Sequence, residues 1–250
     1  MDLETRLPHL ARELGTDYYG IADLSPAIAF IRGQGGERIA RFPRAVVMGI
    51  VLTDTVVDLL PGREDPAVAI LYRHTCYDVV NQALDQIGLR VTSILLREGF
   101  QALPVPASKR SSDEKIAGVF SQKLAAHLAG LGWIGKSCLL VTPDHGPRVR
   151  WVTVLTDAPL TPTGSPVKPR CGDCTACVDA CPIHAFTGRM FRKDEPREAR
   201  FDAALCDRYF KDLEKSGRPP VCGMCLYVCP HGRKKGQTFP SPGVPMNPWM

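Results

Sequence analysis

Leu3, Leu7, Leu10 and Leu14 recur at helical spacing, so residues 2–14 read as an amphipathic helix ended by Gly15. Ala45–Leu52 (AVVMGIVL) is an unbroken apolar run of strand length behind Pro43, the pattern of a buried strand. Residues 67–87 carry a second helix with Leu71, Val79, Ala83, Leu84 and Ile87 inward, and Gly88 is expected to stop it. A third, shorter helix over 90–98 precedes a strand near Ala102–Val105. Ser121 is placed to cap a helix through Leu131, with Leu124, Leu128 and Leu131 on one face. Strand-like runs at Cys138–Thr142 and Val149–Thr156 follow, joined by the turn PDHGP. Helices and strands mix without a strict βαβ rhythm, which predicts a layered α+β domain. Thr161–Pro169 (TPTGSPVKP) reads as a linker, and beyond it the composition turns to cysteine, proline and charge. The chain therefore divides into residues 1–165 and residues 166–250, the second part ending in an extended, proline-rich tail.

Composition sharpens this division. Of ten cysteines only Cys76 and Cys138 lie before residue 170; the other eight fall between 171 and 229. A secreted scaffold spreads cysteines to pin loops, whereas a metal site gathers them, so the clustering points to metal and a reducing compartment. The first residues hold no apolar signal core, and the longest apolar run falls far short of the ~20 residues that cross a bilayer. The expected location is the cytoplasm, with no membrane partner.

The net charge of +5 comes entirely from the second part: residues 1–165 balance 17 basic against 17 acidic side chains, and residues 166–250 hold 14 against 9. A [4Fe–4S] core with four thiolates carries about −2, so two of them cancel about four of those charges. The basic excess thus suits a host for anionic clusters and argues only weakly for nucleic acid.

The decisive string is Cys171-x2-Cys174-x2-Cys177-x3-Cys181-Pro182, the bacterial ferredoxin run. Three thiolates two residues apart wrap three corners of a cube, and the fourth lies too far along to reach the same cube and ligates another. The second motif, Cys222-x2-Cys225-x3-Cys229-Pro230, is one cysteine short. If the two exchange their last ligands, Cys171, Cys174, Cys177 and Cys229 hold one [4Fe–4S] cluster. Cys181, Cys222 and Cys225 then hold the other and need an eighth thiolate, for which Cys206 is the candidate. Zinc also binds paired cysteines but gives no reason for this string. Cys76 and Cys138 read as buried small hydrophobes.

Residues 130–137, GLGWIGKS, satisfy both a dinucleotide and a Walker pattern. Both need a strand before the loop and a helix after it, so that phosphate meets a helix N-terminus. Here a helix precedes and a strand follows, so no nucleotide site is expected. The glycines and Trp133, beside Lys136 and Ser137, instead suit a large planar cofactor or close helix–strand packing.

With GLGWIGK followed by LLVTP, VLTD and two motifs ending in Cys-Pro, the chain resembles the epoxyqueuosine reductases, distant relatives of the reductive dehalogenases. The resemblance implies a corrinoid-binding, nitroreductase-like α/β domain followed by a ferredoxin-like two-cluster domain, with electrons passing through the clusters to a base-off cobalamin. It would place Gly132, Trp133, Gly135, Lys136 and Ser137 along that corrinoid or between it and a cluster. The family's proton-donating aspartate falls on Ile116–Val119, leaving Asp113, three residues before Ile116, as the candidate carboxylate. Its Asp-Tyr-His stands here as Cys76-Tyr77-Asp78, making Tyr77 the second catalytic candidate. The chain also stops about 20 residues after Cys229, where the tRNA-reducing enzymes continue into a helical-repeat region.

The expected function is an iron–sulfur oxidoreductase that takes electrons from a ferredoxin- or flavodoxin-type donor. It would reduce a small or medium organic substrate through a corrinoid or similar cofactor, with tRNA an unlikely partner. An electron-transfer protein serving another enzyme is the first alternative, and epoxyqueuosine reduction on tRNA the second.

Overall fold

The computed structural model describes residues 2–233; the expected extended tail lies, from residue 234 on, outside the described residues. The chain forms two compact units, and a single cut near residue 165 does not separate them. The first comprises Met1–Val51, Val80–Ile134 and Val149–Arg170; the second comprises Leu52–Val79, Gly135–Arg148 and the chain from Cys171 onward.

The first unit is built on an antiparallel sheet of β1 (Tyr18–Asp23), β2 (Arg44–Val51), β3 (Ala102–Val105) and β4 (Val149–Thr156), in the order β1-β2-β4-β3. Both faces are covered, which is why β2 could be an uninterrupted apolar run. On one face Val46, Met48, Val152 and Val154 meet Leu7 and Ala11 of α1 (Leu3–Glu13) and Leu84, Ile87, Val91 and Leu95 of α2 (Val80–Arg97). On the other lies α3 (Gln122–Leu128), against β1, β2 and β4. Asp2 caps α1 by accepting from the Thr5 amide at 2.8 Å, and Ser121 caps α3 through the Leu124 amide at 3.3 Å.

Two expectations change here. Gly88 does not stop a helix: α2 runs through it to Arg97, and a Cβ at 88 would fall 3.1 Å from Val152 Cγ2. The glycine is the place where α2 comes closest to the sheet. The linker is also tied down, because the Ile21 amide donates to Thr163 Oγ1 at 3.0 Å and the Thr163 amide to the Ile21 carbonyl at 3.0 Å.

In the second unit, Asp65 caps a helix over Pro66–Arg73, which passes into a π-helical turn, His74–Val79, carrying buried Cys76. Leu60 and Tyr72 are buried beneath the second cysteine motif: a Cβ on Gly223 would fall 2.7 Å from Leu60 Cδ1 and 3.1 Å from the Tyr72 hydroxyl. The helix α4 (Ala203–Lys215), capped by Asp202 at the Leu205 amide, supplies Cys206. Phe186 and Phe201 stack at 5.0 Å beside Cys181 and Ala185. Among the described residues no helix is long and apolar enough to cross a membrane.

Candidate iron–sulfur centre

Each cysteine motif is a tight loop running into one turn of helix. Gly172, at φ +48°, takes the left-handed turn after Cys171, and the Cys174 amide donates to the Cys171 carbonyl at 3.0 Å. The short helix Ala176–Asp179 then presents Cys177. Cys181 follows it, buried, and its Sγ accepts from the Ala185 amide at 3.3 Å. In the second motif Gly223, at φ +68°, opens the turn Met224–Tyr227 that carries Cys225. Cys229 then leads into the turn Pro230–Gly232, whose Gly232 amide donates back to the Cys229 carbonyl at 3.0 Å.

Burial and neighbouring thiols raise four of the cysteines. Burial, and then the neighbouring Cys229, Cys171 and Cys174, push the Cys177 thiol up to about 11. Cys229 is pushed up to about 11, first by burial and with Cys171 and Cys174 adding to it. Cys225 is raised by burial and then by Cys222, Cys206, Cys181 and Cys177. Cys222 is raised by burial, with Cys181 adding to the rise and the Arg63 guanidinium opposing it. Thiols crowded together out of water cannot all ionise unless a cationic core joins them. An iron–sulfur cube is such a core, and soft thiolates are its usual donors. This donor chemistry fits two clusters.

The GLGWIGKS segment is not a nucleotide loop. The helix α3 precedes it, and it contains the short strand Trp133–Ile134 and is followed by another, Leu140–Val141, so no helix N-terminus opens on it. Nor does it offer a planar shelf. Trp133 is completely buried, with the Arg170 guanidinium 5.6 Å from its ring centroid, and Gly132 and Ser137 are buried as well. Lys136 donates through Nζ to the Cys174 carbonyl at 3.1 Å, and a Cβ on Gly135 would fall 3.5 Å from Cys171 Sγ. These two residues pack on the first cysteine loop. Asp113 stands in an exposed turn, its side chain 94% accessible and 4.0 Å from Arg110. Tyr77 lies in the π-helical turn of the second unit, its ring edge-on to Tyr72 at 5.7 Å.

Sequence reasoning missed a buried charge cluster next to Cys229. The Arg148 guanidinium, 2% exposed, bonds Asp54 at 2.7 Å and Asp58 at 2.8 Å. It also missed Arg63 beside Cys222. Nothing in the local pattern marks either arginine, because their partners come from distant segments.

Residues 170–232 match the family of the 4Fe-4S double cluster binding domain. Two [4Fe–4S] clusters are therefore the cofactors of this part of the chain. Across 93% of the chain the sequence aligns with epoxyqueuosine reductase of Vibrio cholerae, at 24% identity over 249 residues and 62% of that protein's length. The chain is similar to the epoxyqueuosine reductases. It spans between 38% and 62% of the length of such relatives. The fold agrees: a crystal structure of epoxyqueuosine reductase with an epoxyqueuosine-modified tRNA stem loop superposes with a TM-score of 0.56, at 20% identity, over 95% of this chain and 66% of that one. A catabolic reductive dehalogenase in complex with 3-bromo-4-hydroxybenzoic acid superposes with a TM-score of 0.66, at 20% identity, over 91% of this chain and 31% of that one.

These findings correct one expectation. tRNA cannot be set aside as an unlikely partner, since the epoxyqueuosine reductase-like match includes a protein solved with a tRNA stem loop. The point at which this chain stops carries no weight against it.

Proposed function

We propose that this protein is a cytoplasmic iron–sulfur reductase of the epoxyqueuosine reductase type, acting on an epoxide-bearing nucleoside in a tRNA stem loop. The observation that carries the reading is the alignment of nearly the whole chain, cluster domain included, with proteins of that name. Reducing an epoxide to an alkene consumes two electrons and two protons and releases water. A cluster passes one electron at a time, so two clusters in series suit a two-electron reduction fed by a low-potential ferredoxin- or flavodoxin-type donor. In this reading Cys171, Cys174, Cys177 and Cys229 hold the first cluster, and Cys181, Cys206, Cys222 and Cys225 the second. Lys136 steadies the first loop through the Cys174 carbonyl.

The corrinoid that the family resemblance implies is not matched by the residues expected to hold it, since Trp133 is enclosed and Lys136 is engaged at Cys174. No step is routed through cobalt. The test is anaerobic turnover of an epoxyqueuosine-containing stem loop with a chemical reductant. Conversion to the deoxygenated nucleoside, lost in Cys206→Ala, supports the reading; protein with eight irons that never converts the stem loop overturns it. That second outcome would favour an electron-transfer protein. The specific observation behind this alternative is that Ile116–Val119 stand where the family's aspartate is expected.

A further inference from the structure

We infer that Arg63 raises the reduction potential of the second cluster, making it the place where an electron rests between the two transfers. The inference relies on the ligand sets proposed above and adds a residue that no motif marks.

The argument begins with the turn Leu60–Gly62, which ends at Arg63, whose amide donates to the Leu60 carbonyl at 3.1 Å. Leu60 is fully buried and lies against Gly223, where even a methyl group would come within 2.7 Å of its Cδ1. That close approach fixes the turn against the Cys222–Cys225 loop and leaves little freedom in where Arg63 starts. From there its guanidinium stands beside the Cys222 thiol, where its charge opposes the rise that burial causes. Its Nε is buried and has no partner among the described residues. The adjacent carboxylate, Glu64, is taken by Arg218. A cation in a partly dry place, beside a cluster sulfur and ion-paired to no carboxylate among the described residues, is the arrangement that moves a cluster potential.

The sign follows from charge. Reduction adds one negative charge to the cube, so a fixed positive charge beside a ligand sulfur favours the reduced form. The first cluster differs in kind. Its cation, Lys136, donates to a backbone carbonyl and not to a sulfur, and its Cys174 is exposed to water that screens charge.

The experiment is a redox titration of anaerobically purified full-length protein, followed by electron paramagnetic resonance with iron counted on every sample. Cys206→Ala identifies which signal belongs to the second cluster; if it keeps all its iron, the ligand assignment fails and the inference falls for that separate reason. Arg63→Gln is expected to shift the second cluster about tenfold toward its oxidised form at a given potential, about 59 mV for a one-electron couple, leaving the first unchanged. Arg63→Lys should restore most of the shift. Unchanged potentials, or equal shifts in both clusters, overturn the inference. Loss of the second cluster from Arg63→Gln and Arg63→Met alike also overturns it, since Arg63 would then be a strut.

Discussion

Replacing Arg148 with methionine tests how the second unit holds Cys229. The guanidinium is 2% exposed and bridges Asp54 at 2.7 Å and Asp58 at 2.8 Å. A Cβ on Gly232 would lie 3.1 Å from Arg148 Nε and 3.3 Å from its Cγ, so the turn after Cys229 rests on this side chain. Removing one partner of a buried ion pair costs about 3–5 kcal/mol, because the other charge is left without a counterion. Asp54 and Asp58 are 26% and 31% exposed, so water recovers part of that cost. The expected loss therefore falls near the lower end, about 3 kcal/mol. Urea unfolding of the holoprotein, followed by visible cluster absorbance, measures it. Iron release to a chelator reports directly on the Cys229 turn and should quicken. Arg148→Lys should recover only part, since one ammonium does not span two carboxylates as a guanidinium does. The triple variant Arg148→Met, Asp54→Asn, Asp58→Asn should be more stable than the single one, because the stranded charges are gone. A single variant with wild-type unfolding and iron release would refute the reasoning, as would a triple variant less stable than the single.

Other expectations are simpler to state. Cys206→Ala should retain about four of eight irons, whereas Cys76→Ala and Cys138→Ala should retain all of them, by iron and sulfide analysis; the opposite pattern would dismantle the ligand assignment. The GKS sequence should bind neither ATP nor GTP in equilibrium dialysis at micromolar protein, and binding that Lys136→Ala abolishes would reverse that conclusion. His127 is buried against the Gly132 carbonyl, with Nδ1 at 3.1 Å, and burial lowers its pKa despite that hydrogen bond. Its native form is therefore neutral while the unfolded chain takes up a proton near pH ~6.5, so the stability it contributes is whole above that pH and is lost as pH falls toward the folded value. His127→Gln should flatten the stability profile below pH ~6.5, and an unaltered slope would show that another group is responsible.

The parts legible in the sequence are those decided by neighbours along the chain. Cysteine spacing states which thiols share a short loop, and the requirement that a fourth ligand reach another cube pairs the motifs. Cys229 acts on Cys177 and Cys206 acts on Cys225, while Cys177 itself also raises Cys225. The helix cap at Ser121 and the run of β2 were local for the same reason. Strand β1 was missed because YYGIAD carries a glycine where a strand would keep a side chain. Gly20 is there because Ala129 Cβ lies 2.9 Å from where its own Cβ would be, a contact more than 100 residues away in sequence.

The same distinction explains why the surroundings of the cysteine motifs were not legible in the sequence. A linear cut at the proline-rich segment assumes that a domain is one stretch of chain. Here Leu52–Val79 and Gly135–Arg148 leave their neighbours in sequence and join the cysteine-rich part. Those two excursions supply the groups the cysteine motifs lack: Arg63 at Cys222, Lys136 at the Cys174 carbonyl, and Arg148 with its two aspartates beneath the Cys229 turn. A cysteine loop of a dozen residues buries too little to fix its own shape, and an anionic cube requires nearby positive charge. Both needs are met by chain that sequence order assigns elsewhere. GLGWIGKS invited a cofactor reading for this reason. Its glycine and lysine are placed for close approach to a charged group, and that group is the first cluster's own loop, which begins 36 residues downstream of Gly135 at Cys171.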